Sequence, residues 1–421
     1  MNPVKYNILN GVNLYYIEDK KYKTISASIF MHRKLKRDEV TKNALLTNVL
    51  VRGTKSLPTF KDINICLDNL YGATYDVTVT KSGDVQSIVA HISHLSKKYA
   101  DDDIETKCTD LLIDFLFDPY TENSCFKKEY VESEIINLKD EIESIINDKK
   151  AYADFRCNEE MFKGRCEEMR SIGYAADLDG IDEKNLYQHY KNIITTSPID
   201  IFIVGDADIE NTVSHIKQRL SEFDFNITPV YAESEITLAS DEKNITEKMN
   251  INQGKLAIGF KTGIKITDNL YYALVVGNSI FGSGAHSKLF NNVREKLSLC
   301  YYAASRLNAL CGSMMVSSGI EFKNFEKAKN EIFAQLDDVK KGNFTQEELN
   351  IAKEYVINSN TAAKDSPLSL KLFYVKNIIA KRDITLSEAN KKISAVTKED
   401  IINAFKKVEP DTIYFLTGQN E

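Results

Sequence analysis

Two imidazoles stand three residues apart in the segment "HISH", at His91 and His94. Residues that far apart on a strand point to opposite faces, so this pair is not arranged to share a metal. The segment "KYADDDIE" carries three consecutive aspartates, but it lacks the alternating ligands and closing glutamate of a calcium loop. "FGSGAHS" is glycine-rich and holds His286 and Ser287, yet no Gly-Lys-Ser/Thr ending follows, so it does not read as a phosphate cradle. His286 has two readings, contact with a substrate or a turn and helix-cap role. The seven cysteines, at 66, 108, 125, 157, 166, 300 and 311, contain no Cys-x-x-Cys pair. An odd count without paired spacing points to buried or inert thiols in a reducing compartment.

Those residues need elements to position them. The chain has 421 residues, more than one hydrophobic core usually supports, so two or three domains are expected. With 43% apolar and 27% charged residues it reads as an ordinary soluble globular protein. The net charge of −7 and the dispersed Lys and Arg residues give nucleic acid nothing to bind. The first residues lack a signal-peptide core, and no run of about 18 apolar residues exists, so neither export nor membrane insertion is expected. The expected location is cytoplasmic.

The sequence also repeats itself at large scale. "NLYQHYKNIITTSPIDIFIVGD" (185–206) and "DIINAFKKVEPDTIYFLTGQ" (400–419) each read as amphipathic helix, proline turn, β-branched strand and glycine. A charged helix precedes each, beginning near Phe126 and Phe344. Strands are expected at "NLYYIED", "TISASIFMH", "GATYDVTVT", "VQSIVAHIS", "KLAIGFKTG", "CYYAASRLN" and "SMMVSSGIE". The expected class is α+β: two homologous domains, each an antiparallel-rich sheet packed by helices. The first would span residues 1–225, a polar linker 226–234, and the second 235–421.

"TKNALLTNVLVRGTKSLP", Thr41 to Pro58, has helical apolar spacing, then Arg-Gly-Thr as a stop and a proline. With "FGSGAHSKLFNNVREKLSLCYYAAS" of the second half, it resembles the insulinase-like metallopeptidases, the family of pitrilysin and the mitochondrial processing peptidases. In that family this helix reads His-x-x-Glu-His, with two zinc ligands on one face and a general base beside them. Aligned on Arg52-Gly53-Thr54, the two histidine positions fall at Ala44 and Asn48 and the glutamate at Thr47. None of the three can do the family's work. A further family ligand, a Glu on a later helix with another seven residues before it, finds Glu134 and Glu141 in "SEIINLKDEI". These read either as a relic of the acidic half of the site or as a solvated charged face.

The resemblance assigns more to the second half. The family's "REKxxLxY"-like segment supplies an Arg and a Tyr that face the zinc helix, and "VREKLSLCYY" places Arg294 and Tyr301 there. A guanidinium and a phenol are donors suited to the oxygen that becomes negative during peptide hydrolysis. The packed and inert reading is an Arg ending a helix and a Tyr starting a strand. In two-chain members one subunit holds zinc and the other the Arg/Tyr pair, and this sequence matches the second kind. It looks similar to the metal-less, processing-protease-like proteins of Firmicutes named for elongation factor P modification. The resemblance therefore implies no metal in this chain, zinc in a homologous partner subunit, and a peptide substrate gripped by Arg294 and Tyr301, with His286 and Ser287 nearby. A heterodimer is expected, with a homodimer open to the isolated chain. The alternative is a non-catalytic structural or peptide-binding protein of the same fold.

Overall fold

The computed structural model describes residues 2–100, 103–239 and 241–419, so two aspartates of the "DDD" run lie outside the described residues. The first half contributes strands β1 (Val4–Leu9), β2 (Val12–Glu18), β3 (Thr24–Lys34), β4 (Thr74–Ser82) and β5 (Val85–Leu95). A small hairpin, β6 (Thr121–Glu122) and β7 (Cys125–Phe126), precedes β8 (Ile199–Gly205). The second half contributes β9 (Lys243–Met249), β10 (Gly254–Lys261), β11 (Cys300–Asn308), β12 (Ser313–Ile320) and β13 (Glu409–Gly418). The helices that matter below are α1 (Val40–Leu50), α2 (Ile104–Phe117), α3 (Lys128–Ser144), α4 (Lys149–Met161) and α5 (Glu183–Thr196). They continue with α6 (Tyr271–Phe281), α7 (Gln346–Ala363), α8 (Pro367–Ile379) and α9 (Lys398–Phe405).

The chain divides into two compact units, one of residues 1–143, 169–232 and 366–381, the other of 144–168, 233–365 and 382–421. The first sheet has the order β1-β2-β8-β3-β5-β4 and the second β11-β12-β10-β13-β9. Read in the other direction, the second sheet repeats the first without its β1 edge. In each, one parallel pair (β2 with β8, β9 with β13) joins an otherwise antiparallel sheet. Among the described residues, no helix is long and apolar enough to cross a membrane.

Strand β3 shows why these sheets need cover on both sides. Its odd positions, Ile25, Ala27, Ile29 and Met31, enter the core with α1 and α2. Its even positions, Ser26, Ser28, Phe30 and His32, are buried too. Burying each large apolar side chain contributes about 1.5–3 kcal/mol, which outweighs backbone ordering only when both faces are covered.

The cover for one face comes from the other half of the chain. Helix α4, encoded before the linker, packs on β10 and β13. There its Cys157 Sγ lies 3.6 Å from Ala257 O, and an added Cβ on Gly259 would meet Met161 Sδ at 2.7 Å. Helix α8, encoded after the linker, packs against β8 of the first sheet, and its Lys371 reaches the hydroxyls of Ser26 and Ser28 on β3. The units therefore differ from the contiguous spans 1–225 and 235–421 by this exchange, and the chain passes from one unit to the other within 226–234, after Ala232.

The exchange generates a prediction. Residues 1–232 expressed alone lack α8 and keep α4 without its sheet, so this fragment should bind an apolar dye and precipitate. Co-expressed 1–232 and 233–421 should purify together as a folded pair. A monomeric, dye-silent 1–232 fragment with a cooperative melt would refute the exchange as a requirement for folding.

Candidate functional site

Helix α1 forms because its apolar residues satisfy a core on nearly every side: only Lys42 and Asn48 of its eleven residues are not buried. Leu45, Leu46, Val49 and Leu50 enter the main cluster of the first unit. Ala44 is 2% exposed and carries no ligand atom. Thr47 is equally buried, and its Oγ1 donates back to the carbonyl of Ala44 at 2.8 Å. Asn48 is half-buried and offers only an amide. Among the described residues, no group of three or more His, Cys, Asp or Glu side chains is placed to hold a metal ion. The donor set along this helix does not fit zinc.

The carboxylate assigned to the acidic half of that site is engaged elsewhere. Glu134 on α3 is buried and accepts from Arg52 Nη1 at 2.9 Å and from Asn137 Nδ2 at 3.0 Å. It is therefore not part of a solvated face, while Glu141 is exposed. Arg52, in turn, lies over the ring of Tyr130, 4.9 Å from its centroid. Gly53 is demanded by its turn, since a Cβ there would meet the carbonyl oxygen of Pro58 at 2.4 Å.

One residue before Ala44, a polar network that spacing did not announce fixes the helix. Asn43 is fully buried, and its Nδ2 donates to Gln86 Oε1 at 2.7 Å. Its Oδ1 lies 2.7 Å from Nε2 of His189 on α5, and because an amide oxygen only accepts, that nitrogen carries the proton. Burial pushes His189 down to about 4, so the ring is neutral near pH 7.

The second unit brings Arg294 and Tyr301 together. They line one depression of ≈ 410 Å³ with Glu295, Ser298, Leu299, Cys300 and Glu321. Two backbone irregularities aim them. Residues 289–296 form a π-helix, continued by the Leu297 N–H donating five residues back to Asn292 at 3.1 Å. Such helices are rare and recur at functional sites. Arg294 lies in its last turn, 4.6 Å over the Phe290 ring, with 41% of its side chain exposed. Its contact with Glu295 is 3.5 Å between two exposed groups, worth about 0–1 kcal/mol, so the guanidinium is not locked.

Ser298 then turns the chain at φ +50°, a left-handed conformation costing roughly 1–2 kcal/mol in a non-glycine residue. Strand β11 follows with a register shift between Cys300 and Tyr302, and Tyr301 sits in it. A bulge re-aims the extra side chain, and Tyr301 is 61% exposed. Burial raises the Cys300 thiol beside them, opposed by hydrogen bonding to Ser318 and by the Arg294 charge.

The remaining candidates do other work. Ser287 is buried and accepts the Phe290 N–H at 3.3 Å, and His286 contacts Ser279 Oγ at 3.0 Å and the Tyr355 ring at 4.8 Å. Neither is among the residues lining the depression. His91 and His94 occupy different positions on β5, with His91 Nδ1 on Ser28 and Ala27 and His94 Nδ1 on its neighbouring carbonyl.

Comparisons with known proteins bear on the family. The family model for the peptidase M16 inactive domain matches residues 180–356. The chain is 35% identical over 413 residues, 97% of its length and 96% of the relative's, to the "Probable inactive metalloprotease YmfF" of Bacillus subtilis. It is 23% identical over 308 residues, 70% of the chain and 69% of the relative, to the "Uncharacterized zinc protease YmfH" of the same organism. A crystal structure of a conserved protein from Enterococcus faecalis V583 superposes at TM-score 0.90 with 28% identity, covering 100% of both chains. With a full-length relative of that kind and a zinc helix without ligands, this chain belongs to the insulinase-like peptidase M16 family, as an inactive peptidase homologue.

Proposed function

We propose that this chain is the metal-less subunit of a two-chain zinc peptidase, working in the cytoplasm. It binds peptide and lends Arg294 and Tyr301 to the zinc site of a homologous partner. The observation that carries the reading is the pairing of an exposed guanidinium and an exposed phenol in one depression, each aimed by a costly backbone irregularity. Residues kept only for packing do not need such placement. The empty ligand positions on α1 support the division of labour.

In this reading zinc held by the partner would supply the nucleophile and polarise the scissile carbonyl, and this chain's residues bind the peptide. Arg294 and Tyr301 donate hydrogen bonds to the peptide and to the oxygen as its charge develops. The chain itself holds no zinc, because it offers no imidazole or carboxylate set at positions 44, 47 and 48. Its similarity to a B. subtilis chain named a zinc protease supports a partner of the same fold. In isolation the chain is open to pairing with itself.

Two predictions follow from this assignment. The purified chain alone should contain far less than one zinc per molecule by elemental analysis and cleave no peptide; stoichiometric metal in an active preparation would end the proposal. In the complex reconstituted with a zinc-bearing partner, Arg294→Ala should lower turnover by about 100-fold, the size of losing one oxyanion donor, and Tyr301→Phe by less. Assembly, read by gel filtration, should be unchanged. Full turnover by both variants would leave the non-catalytic peptide-binding role as the correct one.

A further inference from the structure

Lys371 is 1% exposed, on the exchanged helix α8, and among the described residues no carboxylate is within its contacts. Its Nζ lies 2.8 Å from Ser26 Oγ, 2.7 Å from Ser28 Oγ and 3.2 Å from His91 Nδ1. The proton inventory of this cluster can be worked out. His91 Nδ1 is 2.9 Å from the carbonyl oxygen of Ala27, which only accepts, so Nδ1 carries a hydrogen. The same nitrogen is 3.0 Å from Ser28 Oγ. A protonated nitrogen cannot accept from an ammonium. Two Lys371 N–H groups thus have serine acceptors, and the third direction faces a donor. That arrangement suits a neutral amine, which has two N–H groups for the two serines, and leaves one donor of an ammonium unmatched.

The other titratable groups on this sheet face follow from register. Ser28 pairs with His91 on β5 and with Phe202 on β8, which pairs with Tyr15 on β2. One pleat further, Phe30 pairs with Asp200, and then His32 with Ser87. Asp200 is engaged by His32 Nε2 and Asn13 Nδ2, both at 3.1 Å. Helix α8 itself adds Tyr374 and Lys376. On the far side of His91, Asp76 of β4 shares this row and is exposed; among the described residues no carboxylate makes a hydrogen bond or ion pair with Lys371.

We propose that α8 is a pH-sensitive latch: it seats on the first sheet with Lys371 neutral and loosens when that amine takes up a proton. Burial pushes Lys371 down to about 7, and burial together with the Lys371 charge pushes His91 to about 4. The sign follows by linkage. Once the helix lifts, the amine regains its ordinary value of 10.5. Between about 7 and 10.5 the lifted state binds more protons, so seating strengthens about tenfold for each pH unit gained; below about 7 both states are charged and the dependence stops. The latch acts where a modest alkaline or acid change alters how firmly the first unit is covered.

Hydrogen–deuterium exchange of the full chain from pH 6 to 9, corrected for intrinsic rate, tests this. Protection of 367–379, referenced to 24–34 on β3, should be flat from pH 6 to 7 and rise about 100-fold by pH 9. Lys371→Met should remove the slope and protect α8 at pH 7 as the native helix is protected at pH 9. Lys371→Arg, permanently charged, should leave it weakly protected throughout. A flat native profile from pH 7 to 9 would overturn the proposal, as would an unchanged slope in Lys371→Met. Should neither variant fold, the native slope against β3 decides alone.

Discussion

A helix buried on nearly every face has no place for a charge without a partner, and that constraint governs α1. In a family member with zinc, metal, imidazoles and glutamate satisfy one another. Take the metal away, and a glutamate at position 47 or a histidine at position 44 becomes a polar group in a dry site, at a cost of several kcal/mol if unpaired. Ala44 and Thr47 are the low-cost fillings: one has no polar side-chain atom, and the other returns its hydroxyl to the helix's own carbonyl. The half-buried Asn48 can keep an amide. The three positions therefore stand or fall together, and no single substitution rebuilds the site.

The same reasoning explains which parts of the motif remain readable. Arg52, Gly53 and Thr54 never needed the metal. Gly53 fits a turn that a Cβ would block, Thr54 N–H and Oγ1 close it against Leu57, and Arg52 holds the buried Glu134. Much of the fold was legible for a similar reason, since alternation and caps are local. "CYYAASRLN" is β11 residue for residue, and the proline-turn echo is the α5–β8 and α9–β13 pair of repeated units. The parallel pair in each sheet, strand β9 just after the polar linker, and the exchange of α4 and α8 were not legible. Those depend on contacts between segments far apart in sequence. One local signal is present in the sequence: Lys371 sits on the apolar stripe of α8 with Leu370, Tyr374 and Val375, where a solvated lysine does not belong.

The candidate site shows the opposite limit. The family resemblance named Arg294 and Tyr301, but a regular helix and strand would aim them differently. A π-helix rotates each residue less about its axis than an α-helix does, and a bulge reverses the side to which a strand residue points. Both are context-dependent distortions, and neither has a composition of its own. Glu295, inside the quoted segment, and Glu321, which no motif marks, line the same depression.

The exchanged helices carry the synthesis one step further. Each presents an ionisable residue to hydroxyls of the sheet it covers, one an acid and the other a base. On α4, Asp154 accepts from Ser317 Oγ at 2.5 Å, and burial raises its carboxyl against that hydrogen bond. On α8, Lys371 meets Ser26 and Ser28, and burial lowers its amine. An apolar side chain at either place would hold more tightly. What the polar group adds is position. Moved one turn, about 5.4 Å, toward Phe30, the amine would face the rings of Phe30 and Phe202 and lose both serines. A helix that reaches its sheet from the far half of the chain has no short loop to set its register, and a polar contact that works at one place supplies what the connection cannot.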